Sequence, residues 1–265
     1  MIYKNISRED YFAMHGVNAS TLKPYYESSL NGNHESEKKR VETPAMRFGT
    51  ACHSRILEPD TFDWIYDKLK LPINEKTGKE YGIDTKKSQE YIATLPAGKK
   101  HLSFEEFETL EKIEKNLKQN TSAIKILTSC PDREMAITWT DNESGIECKA
   151  LLDFVGHKIA GDFKTTKEIK FRNDPVDVAK VLQWELIGNK NMLQFAFYRD
   201  GLIANNINIE RFAVIFAQNN GNCETLTAFL SDYSLEYGRN MYTRALLNYA
   251  NKDDNQSAFN ALIEI

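Results

Sequence analysis

CKALLDFVGHKIAGDFKTT, residues 148–166, alternates apolar and polar positions on either side of a Gly-His turn and carries two aspartates and a lysine within the alternation. A period of two reads as paired strands, 146–155 and 158–165, joined by Gly156-His157 as a two-residue loop. That register sets Val155 opposite Lys158 and Asp153 opposite Ala160. Ala160, Asp162 and Lys164 share one face and Asp153 joins them, which makes the two aspartates diagonal neighbours roughly 7–8 Å apart. Two carboxylates converging beside an ammonium group form a site for a hard divalent cation.

Spacing alone leaves a second reading open. The pattern acid-x-Lys recurs at Glu37/Lys39, Asp84/Lys86, Glu147/Lys149, Asp162/Lys164 and Glu168/Lys170, so a single instance carries little information. An exposed hairpin with a surface salt bridge, worth about 0–1 kcal/mol, satisfies the same pattern. The apolar strand context and the second acid on the preceding strand are what set Asp162/Lys164 apart.

Upstream, a strand over 134–140 and a turn over 141–145 complete a three-stranded meander. Before it the chain is helical. Asn18 and Ser20 are cap-type residues ahead of TLKPYYESSL, with Pro24 expected in the first turn. NGNHESEKKRVET (31–43) reads as a mobile polar loop. A helix runs from Pro44 to a stop at Pro59, with an apolar stripe of Ala45, Phe48, Cys52 and Ile56. A turn near Thr77-Gly78 and a short helix from Asp84 or Thr85 follow. Ser103 to Glu106 fits a capping box with Leu102 and Phe107 as its staple, and Leu110, Ile113, Leu117, Ile124 and Leu127 continue one buried side to Cys130-Pro131.

Downstream, Pro175 to about Asp200 reads as helix, broken near Gly188-Asn189 and capped by Gly201. Strands are expected over 207–216 and 225–230, then a helix from about Asp232 that buries Leu235, Tyr242, Leu246 and Leu247. Helices around a meander, followed by helix and more strands, give an α/β (α+β) fold with a mixed central β-sheet flanked by helices. The 265 residues suit one domain over 1–265, helical over about 1–130, with the sheet and following helices over about 131–265.

Composition narrows the function classes. A hydrophobic fraction of 41% and a charged fraction of 27% exclude wholesale disorder, and no apolar run is long enough to span a bilayer. MIYKNISREDYF lacks a signal-peptide apolar core, so the expected compartment is the cytoplasm, with no membrane partner. Cys52, Cys130, Cys148 and Cys223 are scattered without a C-x-x-C pair and read as buried thiols. A net charge of -4 argues against non-specific coating of nucleic acid, but Lys164, Lys167, Lys170 and Arg172 against the single acid Glu168 make a local basic stretch. By themselves, His53 on its helix and Gln194 with Tyr198 four residues apart are common arrangements.

Taken together, FGTACHSRILEP (48–59), GIECKALLDF (145–154), GDFKTT (161–166) and LQFAFYRDG (193–201), in that order, resemble the nuclease domain of RecE-type 5′→3′ exodeoxyribonucleases. These are exonuclease VIII-like members of the PD-(D/E)xK superfamily, distantly similar to phage lambda exonuclease. The resemblance spans roughly residues 18–235. It implies catalytic roles for Asp153, Asp162, Lys164 and Gln194, with His53, Asp153, Asp162 and the Phe163 backbone carbonyl as ligands of Mg²⁺, for which Mn²⁺ substitutes. Lys167, Lys170, Arg172 and Tyr198 are placed to contact DNA, and Ser20 and Lys23 to meet a 5′-phosphate. It further implies double-stranded DNA ends as substrate, a ring-shaped homo-oligomer, and a RecT-like single-strand annealing protein as partner in recombination. Alternatives are another nuclease of the superfamily, whether an endonuclease or an iron–sulfur enzyme of the CRISPR-adaptation type, or a catalytically silent DNA end-binding protein. The isolated Cys223 speaks against the iron–sulfur option.

Overall fold

The computed structural model describes residues 1–4, 6–38, 41–95, 98–167, 182, 186–188 and 190–252. The chain opens with β1 (Ile2–Tyr3) and the helices α1 (Arg8–Ala13), α2 (Ala19–Tyr25), α3 (Ser29–Glu37), α4 (Pro44–Leu57) and α5 (Pro59–Ile65). A small accessory region follows: β2 (Tyr66–Leu69), β3 (Ile73–Asn74), β4 (Lys79–Glu80), α6 (Lys86–Ile92) and β5 (Lys100–Ser103). Helices α7 (Phe104–Gln119) and α8 (Thr121–Ser129) lead into β6 (Asp132–Thr140), β7 (Glu147–Val155) and β8 (Ile159–Thr166). The last elements are α9 (Asn191–Ala204), β9 (Arg211–Gln218), β10 (Thr225–Phe229) and α10 (Asp232–Ala250).

The main sheet has the order β1-β6-β7-β8-β9-β10 and is mixed, because β8 and β9 run parallel while its other neighbours are antiparallel. Its two faces feed two cores. Ile137, Leu152 and Val214 pack with Leu22 of α2, Leu193 of α9 and Leu246 of α10. Phe154, Phe163 and Ile215 pack with Cys52 of α4, Ile113 of α7 and Ile126 of α8. Strand β9, buried on both faces, is apolar almost throughout, as expected for a central strand. All four cysteines are free and buried. Among the described residues no helix is long and apolar enough to cross a membrane.

The expected meander, the α4 helix with its stop at Pro59, the Gly78 turn and the capping box at Ser103 are all present. Other expectations need correction. The turn after β7 is longer than two residues: Val155 pairs with Ala160 and Phe154 with Gly161, and the Gly156 amide donates to the Ile159 carbonyl. A shift of two preserves the facing of every side chain, but it brings Asp153 level with Asp162 instead of diagonal to it.

Pro24 lies near the end of α2, and Asn18 rather than Ser20 is the cap, its side chain accepting from the Thr21 amide. Residues 29–37 are helical, not loop, because Ser28 caps them and Gly32 lets the helix settle on the Tyr25 ring. Asn120 ends α7 and caps α8, which resets the helical phase; Ala123 and Ile126 are therefore buried and Ile124 is exposed. On α4, Ala45 is exposed and Ala51 and Leu57 take the buried positions.

Gly201 is not a cap. It sits within α9 under Trp139, where a Cβ would come 2.6 Å from the ring. The helix ends instead at Asn206, whose φ of 60° and whose amide bond to the Ile203 carbonyl, with Ile207 bonding Leu202, form a Schellman motif. This delays β9 to Arg211. Leu247 is exposed on the outer side of α10. The residues expected to be helical over 175–181 lie outside the described residues.

Candidate metal centre

The site forms where the sheet stops being regular. Arg133 pairs with Phe154 and Met135 with Leu152, so Glu134 lies level with Asp153, but Glu134 has a left-handed backbone with φ of 43° and the ladder lapses there. On the other side, pairing of β7 with β8 ends at Phe154. Inward alternation slips at the same point: Ala150 and Leu152 face one core, and Phe154 faces the other. Beyond the lapse, the edge of β7 is taken by Val17, whose amide donates to the Glu147 carbonyl and whose carbonyl accepts from the Lys149 amide. Glu134, Asp153 and Asp162 thus form a row of carboxylates across three strands, at the point where the third strand parts from the second.

Each acid is held differently. Asp153 accepts from the Phe163 amide at 2.6 Å through Oδ2, a side-chain bond that replaces a ladder bond. Asp162 is 1% exposed, which excludes the surface salt bridge left open by spacing. Its Oδ1 accepts from Gln194 Nε2 at 2.9 Å, and its Oδ2 lies 2.7 Å from Lys164 Nζ. Glu134 accepts from Arg8 at 2.9 Å.

Helix α4 brings in His53, whose Nδ1 stands 3.5 Å from Asp153 Oδ2 and whose ring packs edge-on against Phe163. Gly49, one turn earlier, allows this approach: a Cβ there would be 3.2 Å from Thr165 Oγ1. Helix α9 contributes Gln194, which donates also to the Tyr198 hydroxyl at 3.2 Å and accepts from Lys23 Nζ at 3.2 Å. Both faces of the sheet therefore reach the row, α4 from one side and α2 with α9 from the other.

Burial and charge set the protonation states. His53 is pushed down to about 4 by burial, so its imidazole is neutral and available as a ligand. Burial, with the neighbouring Asp162 carboxylate, holds Asp153 well above the usual carboxylate range. Glu134 is raised by burial and by Asp153. Burial works to lower Lys164, but Asp162 and Asp153 outweigh it and the ammonium form is favoured. Lys23 is brought down to about 7 by burial and by the Lys164 charge.

One oxygen or nitrogen from each of His53, Glu134 and Asp153 falls within 4.8 Å of the others. His53 Nδ1 and Glu134 Oε2 are buried without a hydrogen-bond partner among the described residues. A buried carboxylate oxygen and an imidazole nitrogen left unpaired are the donors a divalent cation satisfies, so the residues fit a metal. Asp162 stands outside the 4.8 Å group and leans on Lys164 and Gln194.

Of the residues singled out in the sequence, the structure brings together His53, Asp153, Asp162, Phe163, Lys164, Gln194, Tyr198 and Lys23. Ser20 is exposed on α2, and Lys167 is exposed just beyond β8. Lys170 and Arg172 lie outside the described residues. Sequence reasoning missed Glu134 and Arg8. Glu134 looked like the polar first residue of a strand, and its signal was its alignment with Asp153 across the first hairpin.

A mixed sheet that splays at a row of acids, with a lysine two residues after the last acid on its strand, is the PD-(D/E)xK nuclease fold with a candidate metal centre. The chain belongs to the family described as PDDEXK-like domain of unknown function (DUF3799), which matches residues 19–257. Among solved structures it is similar to a protein of Eubacterium rectale called "Putative exonuclease", with a TM-score of 0.61 and 13% identity over 99% of this chain and 96% of that one. No curated protein matches the sequence at a significant level.

Proposed function

We propose that the protein is a metal-dependent double-stranded DNA 5′→3′ exonuclease of the RecE type, releasing 5′-mononucleotides and leaving single strands for recombination by annealing. One observation carries the reading: residues from four separate sequence motifs, His53, Asp153, Asp162 with Lys164, and Gln194, converge on one splayed edge. The residues that would hold Mg²⁺ or Mn²⁺ are His53, Asp153, Asp162 and the Phe163 carbonyl, with Glu134 beside them. When bound, such a cation supplies Lewis acidity toward water and toward the charge building on a phosphodiester.

The chain's own groups do the rest. Lys164 keeps its proton at Nζ and orients the attacking water while its charge favours the developing phosphorane. Gln194, whose amide hydrogens go to Asp162 and Tyr198, holds Lys23 Nζ through its Oε1, and Lys23 is the donor offered to a terminal phosphate. Ser20 joins Lys23 at the 5′-phosphate, and Lys167, Lys170 and Arg172 extend the phosphate contacts along the backbone, where they bind without reading sequence. From the resemblance come also the ring-shaped homo-oligomer, which would let an acidic chain stay on DNA by encircling it, and the RecT-like annealing partner.

Linear duplexes labelled at the 5′ or 3′ end test the reading with and without Mg²⁺. Early release of the 5′ label as mononucleotide is expected. Early loss of the 3′ label reverses the polarity, and internal cuts or digestion of closed circles point to an endonuclease.

A further inference from the structure

The outer side of α10 departs from what a solvent-facing helix surface requires. Positions 233, 237, 240 and 244 fall on one exposed stripe, and they read Tyr, Tyr, Asn, Arg without an acid among them. Tyr233 is 74% exposed and Tyr237 is 37% exposed. The stripe is about 16 Å long at 1.5 Å per residue. Against it lies Tyr26, next to α2, whose ring stands beneath Arg244 of the same stripe. Two cations sit over the Tyr26 ring, Lys190 at 5.6 Å and Arg244 at 5.4 Å from its centre.

This patch is continuous with the candidate metal centre. Lys190 donates to the Lys23 carbonyl at 3.3 Å, Lys23 reaches Gln194, and Gln194 bonds Asp162. Three acids flank the patch: Glu27 is engaged by Lys190 at 2.8 Å, Glu236 by Arg239 at 2.6 Å, and Asp232 sits in the first turn of α10, where the helix dipole favours it.

Exposed aromatic faces interleaved with cations are the chemistry of a single-strand surface. Any base offers a π-face to a tyrosine, and the phosphates between bases seek lysine and arginine. A duplex buries its base faces in the stack and meets tyrosines only through their hydroxyls at the phosphates, leaving the rings of Tyr233 and Tyr237 without a partner. We propose that Tyr26, Tyr233 and Tyr237, with Lys190 and Arg244, form a platform that binds a single strand of DNA beside the catalytic edge. The inference rests on the nuclease reading for its biological setting, but strand binding is separable from hydrolysis. Unstacked bases held here keep a frayed strand from re-pairing while its phosphodiester lies near Asp162 and Lys164.

Fluorescence anisotropy with a labelled oligothymidylate of about 12 residues, in EDTA so that nothing is cleaved, tests the platform. Relative to the unsubstituted protein, Tyr233→Ala/Tyr237→Ala weakens binding at least ~10-fold. Arg244→Ala lowers the slope of log affinity against log salt by about 0.7, the value for one lost single-strand phosphate contact. Trp64→Ala, an exposed aromatic on α5 far along the chain, leaves binding unchanged. Equal affinity of the double variant overturns the proposal, as does failure of the unsubstituted protein to bind the oligonucleotide. So does a fall in sedimenting mass caused by the double variant, which makes the stripe a contact between copies of the chain. If binding responds as expected while labelled duplexes are never digested, the platform stands and the exonuclease reading falls.

Discussion

The two sides of β7 behave in opposite ways. Toward β6 the strands pair along nearly their whole length, from Asp132↔Val155 to Thr140↔Glu147, with Glu134 the interruption. Toward β8 the pairing is confined to Phe154↔Gly161 and Val155↔Ala160. The first side is scaffold: its backbone groups satisfy one another and its side chains fill a core. The second opens after two rungs, and the groups that would have closed the ladder serve other ends, as when the Phe163 amide goes to the Asp153 carboxylate. Incomplete pairing makes room for polar side chains and unpaired oxygens at a place the complete ladder holds rigid, which is what preorganised chemistry demands.

Four substitutions probe that contrast, from the largest effect downward. Asp162→Asn, on the open side, removes a ligand-type oxygen and half of the Lys164 pair; hydrolysis should fall on the order of 10²–10³-fold while circular dichroism stays that of the folded protein. Preserved activity would remove Asp162 from the site. On the closed side Ile137→Ala empties a fully buried position in β6 and should cost about 2–5 kcal/mol in urea unfolding. Activity per folded molecule is expected to persist, and its loss would mean that the two sides are coupled more tightly than the register implies.

Lys23→Met tests the charge held beside the open edge. The folded pKa of Lys23 is near 7 against 10.5 for an ordinary lysine, so between those values the unfolded chain holds more protons and stability rises with pH. Below about 7 the full cost of burying the ammonium is present, and above 10.5 it vanishes. The methionine variant should therefore gain about 1–2 kcal/mol at pH 6, after losing the bonds to Asn191 and Gln194, and its gain should shrink toward alkaline pH. A gain independent of pH would assign the effect to packing. The smallest change is Lys158→Ala at the exposed Glu210 pair beside the β7–β8 turn, expected within about 1 kcal/mol of the parent in the same unfolding assay.

Much of this is legible in the amino-acid sequence. Period-two alternation over 148–166 gave the hairpin, and its parity put Asp153, Asp162 and Lys164 on one side even though the turn was misread by two residues. Parity survives a shift of two, whereas the neighbour relation does not. Helix ends were read well where a side chain caps them locally, as at Ser103, and badly where an asparagine did the work of a glycine, as at Asn206. Glu134 and Arg8 were not legible. Each looks like an ordinary surface charge, and only the alignment of β6 with β7 and the return of α1 onto β6 bring them together, with Glu134 buried and Arg8 half-exposed.

Sequence by itself determined the three-strand meander, the helices α4 and α7, and the shared face of Asp153 and Asp162, because these follow from the short-range periods of the backbone. Whether those acids would be exposed, paired or buried was decided by tertiary structure alone. Burial of Asp162 comes from α9 packing on the sheet, the neutral state of His53 from α4 packing on Phe163, and the open edge from the early end of β7–β8 pairing. These are contacts between residues far apart in the chain, and their desolvation, which sets the chemistry, has no counterpart in local sequence.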